Sequence, residues 1–202
     1  MMSGANSLAS ITGAVRSVLN FSLLPVVPWK NGGGVTREIF VSPPGARYAD
    51  FDWRLSIADI DESGPFSSLP EVDRHFLMGT KGSIRMTING KTRQLAMGSD
   101  AIFAGEADVT VEVLQGPTRN LNLMTRRGVC SGSIEMLPIS GHFLIGAGRG
   151  PVAVVALAGK VELRDGTPLE PFHVLMPGPD EEPVLGHDAL VAAVRVWRTP
   201  PG

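Results

Sequence analysis

Ile84-Arg85-Met86-Thr87-Ile88 alternates apolar and polar residues and runs directly into Asn89-Gly90. A period of two is that of a strand with one face buried. Asn-Gly tolerates the positive φ of a type I′ turn at both positions, so the dipeptide reads as the tip of a β-hairpin. The same pattern recurs along the chain. Val109-Thr110-Val111-Glu112-Val113 alternates and stops at Gln115-Gly116-Pro117, and Leu121 to Arg126 reads as one more strand. In the second half, Val152 to Leu157 is an apolar strand, after which Gly159 is expected to turn the chain. Val161 to Arg164 alternates and ends at a second hairpin signal, Asp165-Gly166. Phe172 to Met176 and Ala189 to Trp197 complete the series. Strands at this spacing, with no helical period, argue for sandwiches or barrels. With 24 glycines and 16 prolines among 202 residues, turns are plentiful, and a hydrophobic fraction of 43% supplies a core.

Each half therefore reads as a strand, a glycine turn, an alternating strand, a hairpin and further strands. This is a duplication of pattern, not of identity. The expected fold is all-β, two small barrels in tandem. Residues 20–130 are expected to form the first barrel and 131–202 a second, smaller one. Residues 1–19, small and polar-leaning, are expected to be a flexible extension.

Eighteen Lys and Arg against 20 Asp and Glu give a net charge of −2, which is no footprint for general nucleic-acid binding. No apolar run approaches the roughly 18–20 residues of a membrane span. The first residues carry neither a positive segment nor an apolar run of signal-peptide length. One cysteine, Cys130, leaves no intrachain disulfide framework and fits a reducing compartment. A cytoplasmic protein is expected. Barrels of this size often pair through exposed strand edges, so a homodimer is compatible with the chain, although no segment marks an interface.

His75, His142, His173 and His187 form no H-x-H or H-E-x-x-H pair, so no metal and no cofactor is expected. There is no G-x-S-x-G elbow. Gly90-Lys91-Thr92 imitates the end of a phosphate loop but lacks its leading glycine, since position 85 is Arg85. The unusual segment is Pro28-Trp29-Lys30-Asn31-Gly32-Gly33-Gly34-Val35-Thr36-Arg37-Glu38-Ile39. Three glycines in a row expose backbone N–H groups that can approach a ligand. The competing role is a tight turn leading into a strand.

Arginines lie in or beside apolar strand sequence at 37, 54, 74, 126 and 127. Burying an unpaired guanidinium costs several kcal/mol. Strand alternation puts Arg54, Ser56 and Ala58 on one face, with Trp53, Leu55 and Ile57 on the other. It likewise groups Asn122, Met124 and Arg126, and sets Thr36 and Glu38 against Arg37 and Ile39. If the polar faces point into one barrel, its lumen suits a small carboxylate held by guanidinium groups. The competing role is internal bracing, with Glu38, Asp59 and Asp73 pairing with these arginines.

The segment 28–39 resembles the signature of the HutD/Ves family. So do Phe51-Asp-Trp-Arg-Leu-Ser-Ile-Ala, Gly64-Pro-Phe-Ser, Asp73-Arg74, Phe103-Ala-Gly-Glu and Leu121-Asn-Leu-Met-Thr-Arg-Arg-Gly, in the same order. The resemblance runs over about 21–198, strongly to 128. It implies a bicupin of jelly-roll type and a link to bacterial histidine utilisation. It also implies a small acidic metabolite as ligand, formylated glutamate being a proposed one, with no established reaction and none of the usual cupin metal histidines. Glu71 stands where the family commonly has glycine, and Asn120 where it commonly has aspartate.

Together these readings make Lys30, Asn31, Arg54, Ser56, Asn122 and Arg126 the candidate polar contacts to the ligand. Trp29, Phe66 and Met124 are the candidate walls. Arg37, Glu38 and Arg74 are expected behind them, their faces depending on strand register. A small anionic metabolite is the expected partner. The alternative is a cupin enzyme, an isomerase or metal-assisted oxygenase, using Glu38 or His75 as acid or base.

Overall fold

The structure is a computed structural model that describes residues 16–29, 32–116, 118–145, 152–178 and 182–199. Its first strands are β1 (Ser17–Leu19), β2 (Val26–Pro28), β3 (Gly34–Ser42), β4 (Trp53–Ile60), β5 (Gly64–Pro65) and β6 (Val72–Met78). Then come β7 (Ser83–Ile88), β8 (Lys91–Ala96), β9 (Asp100–Ala104), β10 (Val109–Gln115) and β11 (Thr118–Arg126). The second half holds β12 (Cys130–Ile145), β13 (Ala153–Leu163), β14 (Pro168–Leu169), β15 (Val174–Met176) and β16 (Glu182–Arg198). The one helical element among the described residues is a 3-10 turn at Phe21–Leu23, capped by the Asn20 side chain.

The first half is a jelly roll of two facing sheets, one ordered β2-β3-β4-β11-β6-β9 and the other β5-β10-β7-β8. Apolar residues from both, including Phe76, Met78, Ile84, Met86, Leu95 and Val111, meet between them. The β7–β8 hairpin turns at Asn89 and Gly90, whose φ values are +47° and +77°, as the Asn-Gly signal requires. The other face of the six-stranded sheet carries Trp53, Leu55, Ile57, Leu121 and Leu123. These pack against Ala153, Val155, Val174, Ala192 and Val194 of the second half. The two halves therefore share a core.

The second half is a single sheet, β1-β15-β13-β16-β12, with β14 on β13. Bulges in β12 and β13 break the register and bend the long strands. Their other face encloses Ile139, Val154, Leu163, Leu169, Leu175 and Val191. The three sheets stay open rather than closing into hydrogen-bonded barrels.

Three details differ from the sequence expectations. Gly159 does not turn the chain. It sits with φ +75° at an irregularity inside the continuous strand β13, where a side chain would collide with the backbone of Asp188 and Ala189. The sixteen-residue β12 follows no alternating run in the sequence and is marked by none of the patterns above. Ser17–Leu19, at the end of the expected extension, pair with Val174–Met176.

Candidate functional site

A cavity of about 610 Å³ opens inside the first jelly roll, lined from β2, β3, β4, β5, β6, β11 and three loops. β4 shows why it forms. Seven of its eight residues are buried, yet only one face is apolar. Trp53, Leu55 and Ile57 enter the shared core, so Arg54 and Ser56 must face the other way, where they line the cavity. β11 does the same, with Leu121 and Leu123 in the core and Asn120, Asn122 and Met124 on the cavity.

The two cavity arginines differ in company. Arg54 is nearly buried and donates from Nε to Glu38 Oε2 at 2.7 Å. Its Nη1 reaches Ser56 Oγ at 3.4 Å, and its guanidinium lies 4.9 Å from the Tyr48 ring. Arg74 is 6% exposed. It lies 4.8 Å from the Phe66 ring and 5.2 Å from the Phe103 ring. No carboxylate among the described residues pairs with it, and its buried Nε has no hydrogen-bond partner. Burial, with the like charge of Arg54 adding, pulls its pKa down to about 10, so it stays charged at neutral pH. Beside it the buried Oδ1 atoms of Asn120 and Asn122 also lack partners. Buried polar groups are almost always hydrogen-bonded, so three orphaned groups around one cavity mark where a polar ligand would be satisfied.

The walls are apolar. Trp29 donates from Nε1 to Thr36 Oγ1 at 2.7 Å and meets Phe66 edge to face, 6.1 Å between centroids. Val27, Pro28, Pro65, Leu69 and Met124 add further apolar lining.

Trp29, Arg54, Ser56, Phe66, Asn122 and Met124 thus come together as the sequence suggests, and Arg74 joins them in the lining itself rather than behind it. Glu38 supports Arg54. Lys30 and Asn31 lie outside the described residues. Two candidates are displaced. Arg126 does not line the cavity. It ends β11, and its Nε and Nη2 donate to the carbonyls of Phe51 and Ala49 at 2.8 and 2.9 Å, bracing the loop that carries Tyr48. Arg37 lies on the opposite face of β3. It pairs with Asp59 at 3.0 Å beside Arg119 and stacks over Phe21. The bracing role is therefore also real: Glu38, Asp59 and Asp73 pair with Arg54, Arg37 and Arg127.

The triple glycine does not line the cavity. Gly32 N–H donates to the Trp29 carbonyl at 3.0 Å, and the Gly34 carbonyl accepts from Trp29 N–H at 2.9 Å. The segment is a turn that closes the β2–β3 hairpin. Tyr48 and Asn120 are cavity residues that the sequence reading omits. Asn120 was findable, two positions before Asn122 on the same strand face. Tyr48 sits in a loop without periodicity.

The chemistry of a metal-dependent cupin does not fit this lining. None of its residues is His, Cys, Asp or Glu, and no three such residues cluster anywhere among the described ones. His75 occupies the face of β6 away from the cavity. Its Nδ1 accepts the Ile134 N–H at 3.0 Å, which leaves the ring proton on Nε2 for Asp100, 3.1 Å away. Burial holds its pKa below 6.5, against the pull of Asp100. The unfolded chain then takes up a proton that the folded protein refuses, so stability is lost as pH falls below about 6.5. The slope from this residue is at most one proton, about 1.4 kcal/mol per pH unit. Urea denaturation of His75→Asn is expected to show a flatter profile between about pH 5 and 7. An unchanged slope would assign the effect to another group.

A jelly roll with an arginine-bearing cavity, followed by a second β unit on a shared core, is the architecture of a bicupin. The comparisons agree on the fold. A cupin 2 conserved barrel domain protein from Leptotrichia buccalis, 11% identical, superposes with a TM-score of 0.56 over 91% of this chain and 96% of its own. The family model HutD matches residues 23–187, and the chain belongs to the HutD family. Protein Ves of Cronobacter sakazakii is 36% identical over 144 residues, 70% of this chain and 76% of that protein. An uncharacterized 21.2 kDa protein in the hutC 3′ region of Pseudomonas putida is 40% identical over 101 residues, covering 50% of this chain and 53% of its own. The structure of HutD from Pseudomonas fluorescens SBW25, solved in a formate condition, is 27% identical. It superposes with a TM-score of 0.76 over 92% of this chain and all of that one. Glu71 holds φ +62°, a left-handed conformation that glycine enters without strain. No helix among the described residues is long and apolar enough to cross a membrane.

Proposed function

We propose that the protein is a cytoplasmic binding module for a small carboxylate metabolite of the formylglutamate type, and that it modulates histidine utilisation by sensing that metabolite rather than converting it. The observation that carries this reading is Arg74, a buried guanidinium with no carboxylate partner among the described residues, on the wall of a ligand-sized cavity. A ligand carboxylate supplies the missing charge, and the Asn120 and Asn122 amides offer donors and acceptors beside it. Apolar walls with a few convergent polar groups are what small-molecule sites provide. The position of the Pseudomonas putida relative beside hutC supports the pathway. The enzyme reading finds little support, because Glu38 is committed to Arg54 and His75 faces away from the cavity.

Titration calorimetry of the purified protein with formate, glutamate, N-formylglutamate and urocanate tests this. Saturable binding of at least one acid, without continuing heat of turnover, is expected. Arg54→Ala is expected to weaken that binding about 10- to 100-fold, the worth of one charge-assisted hydrogen bond. Absence of binding by all four acids at millimolar concentration would overturn the assignment.

A further inference from the structure

A chain of contacts ties Arg126, which lies outside the cavity, to the cavity mouth. Tyr48 lines the cavity yet is 55% exposed, so it stands at the boundary between solvent and interior. Its ring lies 4.9 Å from the guanidinium of the buried Arg54 and covers that cation. The ring meets Phe51 edge to face, 6.5 Å between centroids. Phe51 is fully buried against Val72 and Met124, and its ring lies 5.4 Å from the Arg126 guanidinium. Contacts therefore run from Arg126 through Phe51 and Tyr48 to Arg54, a wall residue of the cavity.

Arg126 is occupied with the backbone of this loop. Its Nε and Nη2 hold the Phe51 and Ala49 carbonyls, and its Nη1 stands 3.7 Å from Glu71 Oε2. The turn that carries Tyr48 closes on its first residue, the N–H groups of Asp50 and Phe51 both donating to the Arg47 carbonyl at 3.2 Å. The carbonyls of its later half go to the guanidinium fork, which fixes two of them in one plane. The direction in which Tyr48 leaves the backbone is thereby set from β11. Resting on the carboxylate reading, we propose that Tyr48 is a ligand-contacting residue whose ring covers the ligand group bound at Arg54, and that Arg126 is a positioning residue that acts on binding only through Tyr48. An aromatic cover keeps water from a guanidinium–carboxylate pair, and such a pair is stronger out of water.

Tyr48 is the chain's one tyrosine, so protein labelled on the tyrosine ring gives a single NMR signal that reports on it. Calorimetry and that signal are followed with formate, glutamate, N-formylglutamate and urocanate. An acid that binds is expected to shift the Tyr48 signal. Tyr48→Ala is expected to weaken its binding about tenfold and Tyr48→Phe less than about twofold, because the observed contact is made by the ring. Arg126→Ala is expected to move the Tyr48 signal toward that of an exposed tyrosine and to weaken binding about fivefold. The same change made in the Tyr48→Ala background is expected to alter binding less than about twofold, since the two residues act as one unit. Arg126→Lys keeps the charge but replaces the fork with a single point donor, and is expected to stay at least about threefold weaker than the unmodified protein. Thermal melting checks that each variant remains folded. Unchanged or tighter binding by Tyr48→Ala overturns the role of Tyr48, and so does a loss in Tyr48→Phe equal to that in Tyr48→Ala. An Arg126 effect that persists without Tyr48 overturns the positioning role. These outcomes leave the carboxylate site standing, whereas silence from all four acids overturns that site and this inference together.

Discussion

Methionine in place of Arg74 is expected to give a more stable protein that no longer binds carboxylates. The two effects have one origin. Arg74 is 6% exposed, its Nε is unpartnered, and no carboxylate among the described residues neutralises it. A buried charge without a counter-ion opposes folding by several kcal/mol. The rings of Phe66 and Phe103 return part of that through cation–π contact. Methionine is similar in length, has no charge to desolvate and packs favourably against aromatic edges. Urea denaturation is expected to show a gain of about 1–2 kcal/mol, the lower part of the range seen when buried charges are replaced by apolar residues. Calorimetry is expected to show no carboxylate binding. A loss of 2 kcal/mol or more, as for an ordinary core truncation, would mean that Arg74 braces the fold, and the cavity would lose its claim to a ligand. A group retained at a cost to stability is what a binding site predicts.

Period-two reading recovered the cavity wherever a strand carries unlike faces. Arg54 and Ser56 alternate with Trp53, Leu55 and Ile57. The shared core claims the apolar set, so the polar set has one place left to go. Asn122 and Met124 follow from the same rule. It fails at a strand end: Arg126 sits at the last position of β11, where its long side chain bends to the loop carbonyls of Ala49 and Phe51. It fails for loop residues such as Tyr48, whose position depends on tertiary contacts. It misses β12 because Gly132, Pro138 and Gly141 interrupt any alternation. That strand is held by pairing along its length with β16 and lies at the sheet edge, where a proline is tolerated. The separation of Arg54 from Arg74 was the least legible feature. Both read as cations near apolar sequence, and only the fold shows that Glu38 answers one and nothing described answers the other.

The glycine run offers a second large effect, and it distinguishes two reasons for a glycine. Gly34 pairs with Ile60 at the start of the β3–β4 register. A Cβ there would collide with the carbonyl oxygen of Asp59 and stand 3.4 Å from Ile60 Cα. Both obstacles are backbone, held by neighbouring strand pairing, so relief requires the strands to part. Their parting would also strain the bonds that the Gly33 carbonyl accepts from the N–H groups of Asp61 and Glu62. Gly34→Ala is therefore expected to destabilise by about 3 kcal/mol or more in urea denaturation, the upper range for a forced steric overlap. Gly32 is the contrast. Its φ is +76°, but nothing lies within 4 Å of the added carbon, so Gly32→Ala is expected to cost only about 1–2 kcal/mol from backbone conformation. The Gly34 carbonyl also receives the Trp29 N–H, so a shifted β3 would carry Trp29 away from Thr36 and Phe66. Gly34→Ala is accordingly expected to weaken carboxylate binding under conditions where it remains folded, and Gly32→Ala to change binding less. Equal stabilities for the two variants would show that close approach of the β3 and β4 backbones is not what the third glycine serves.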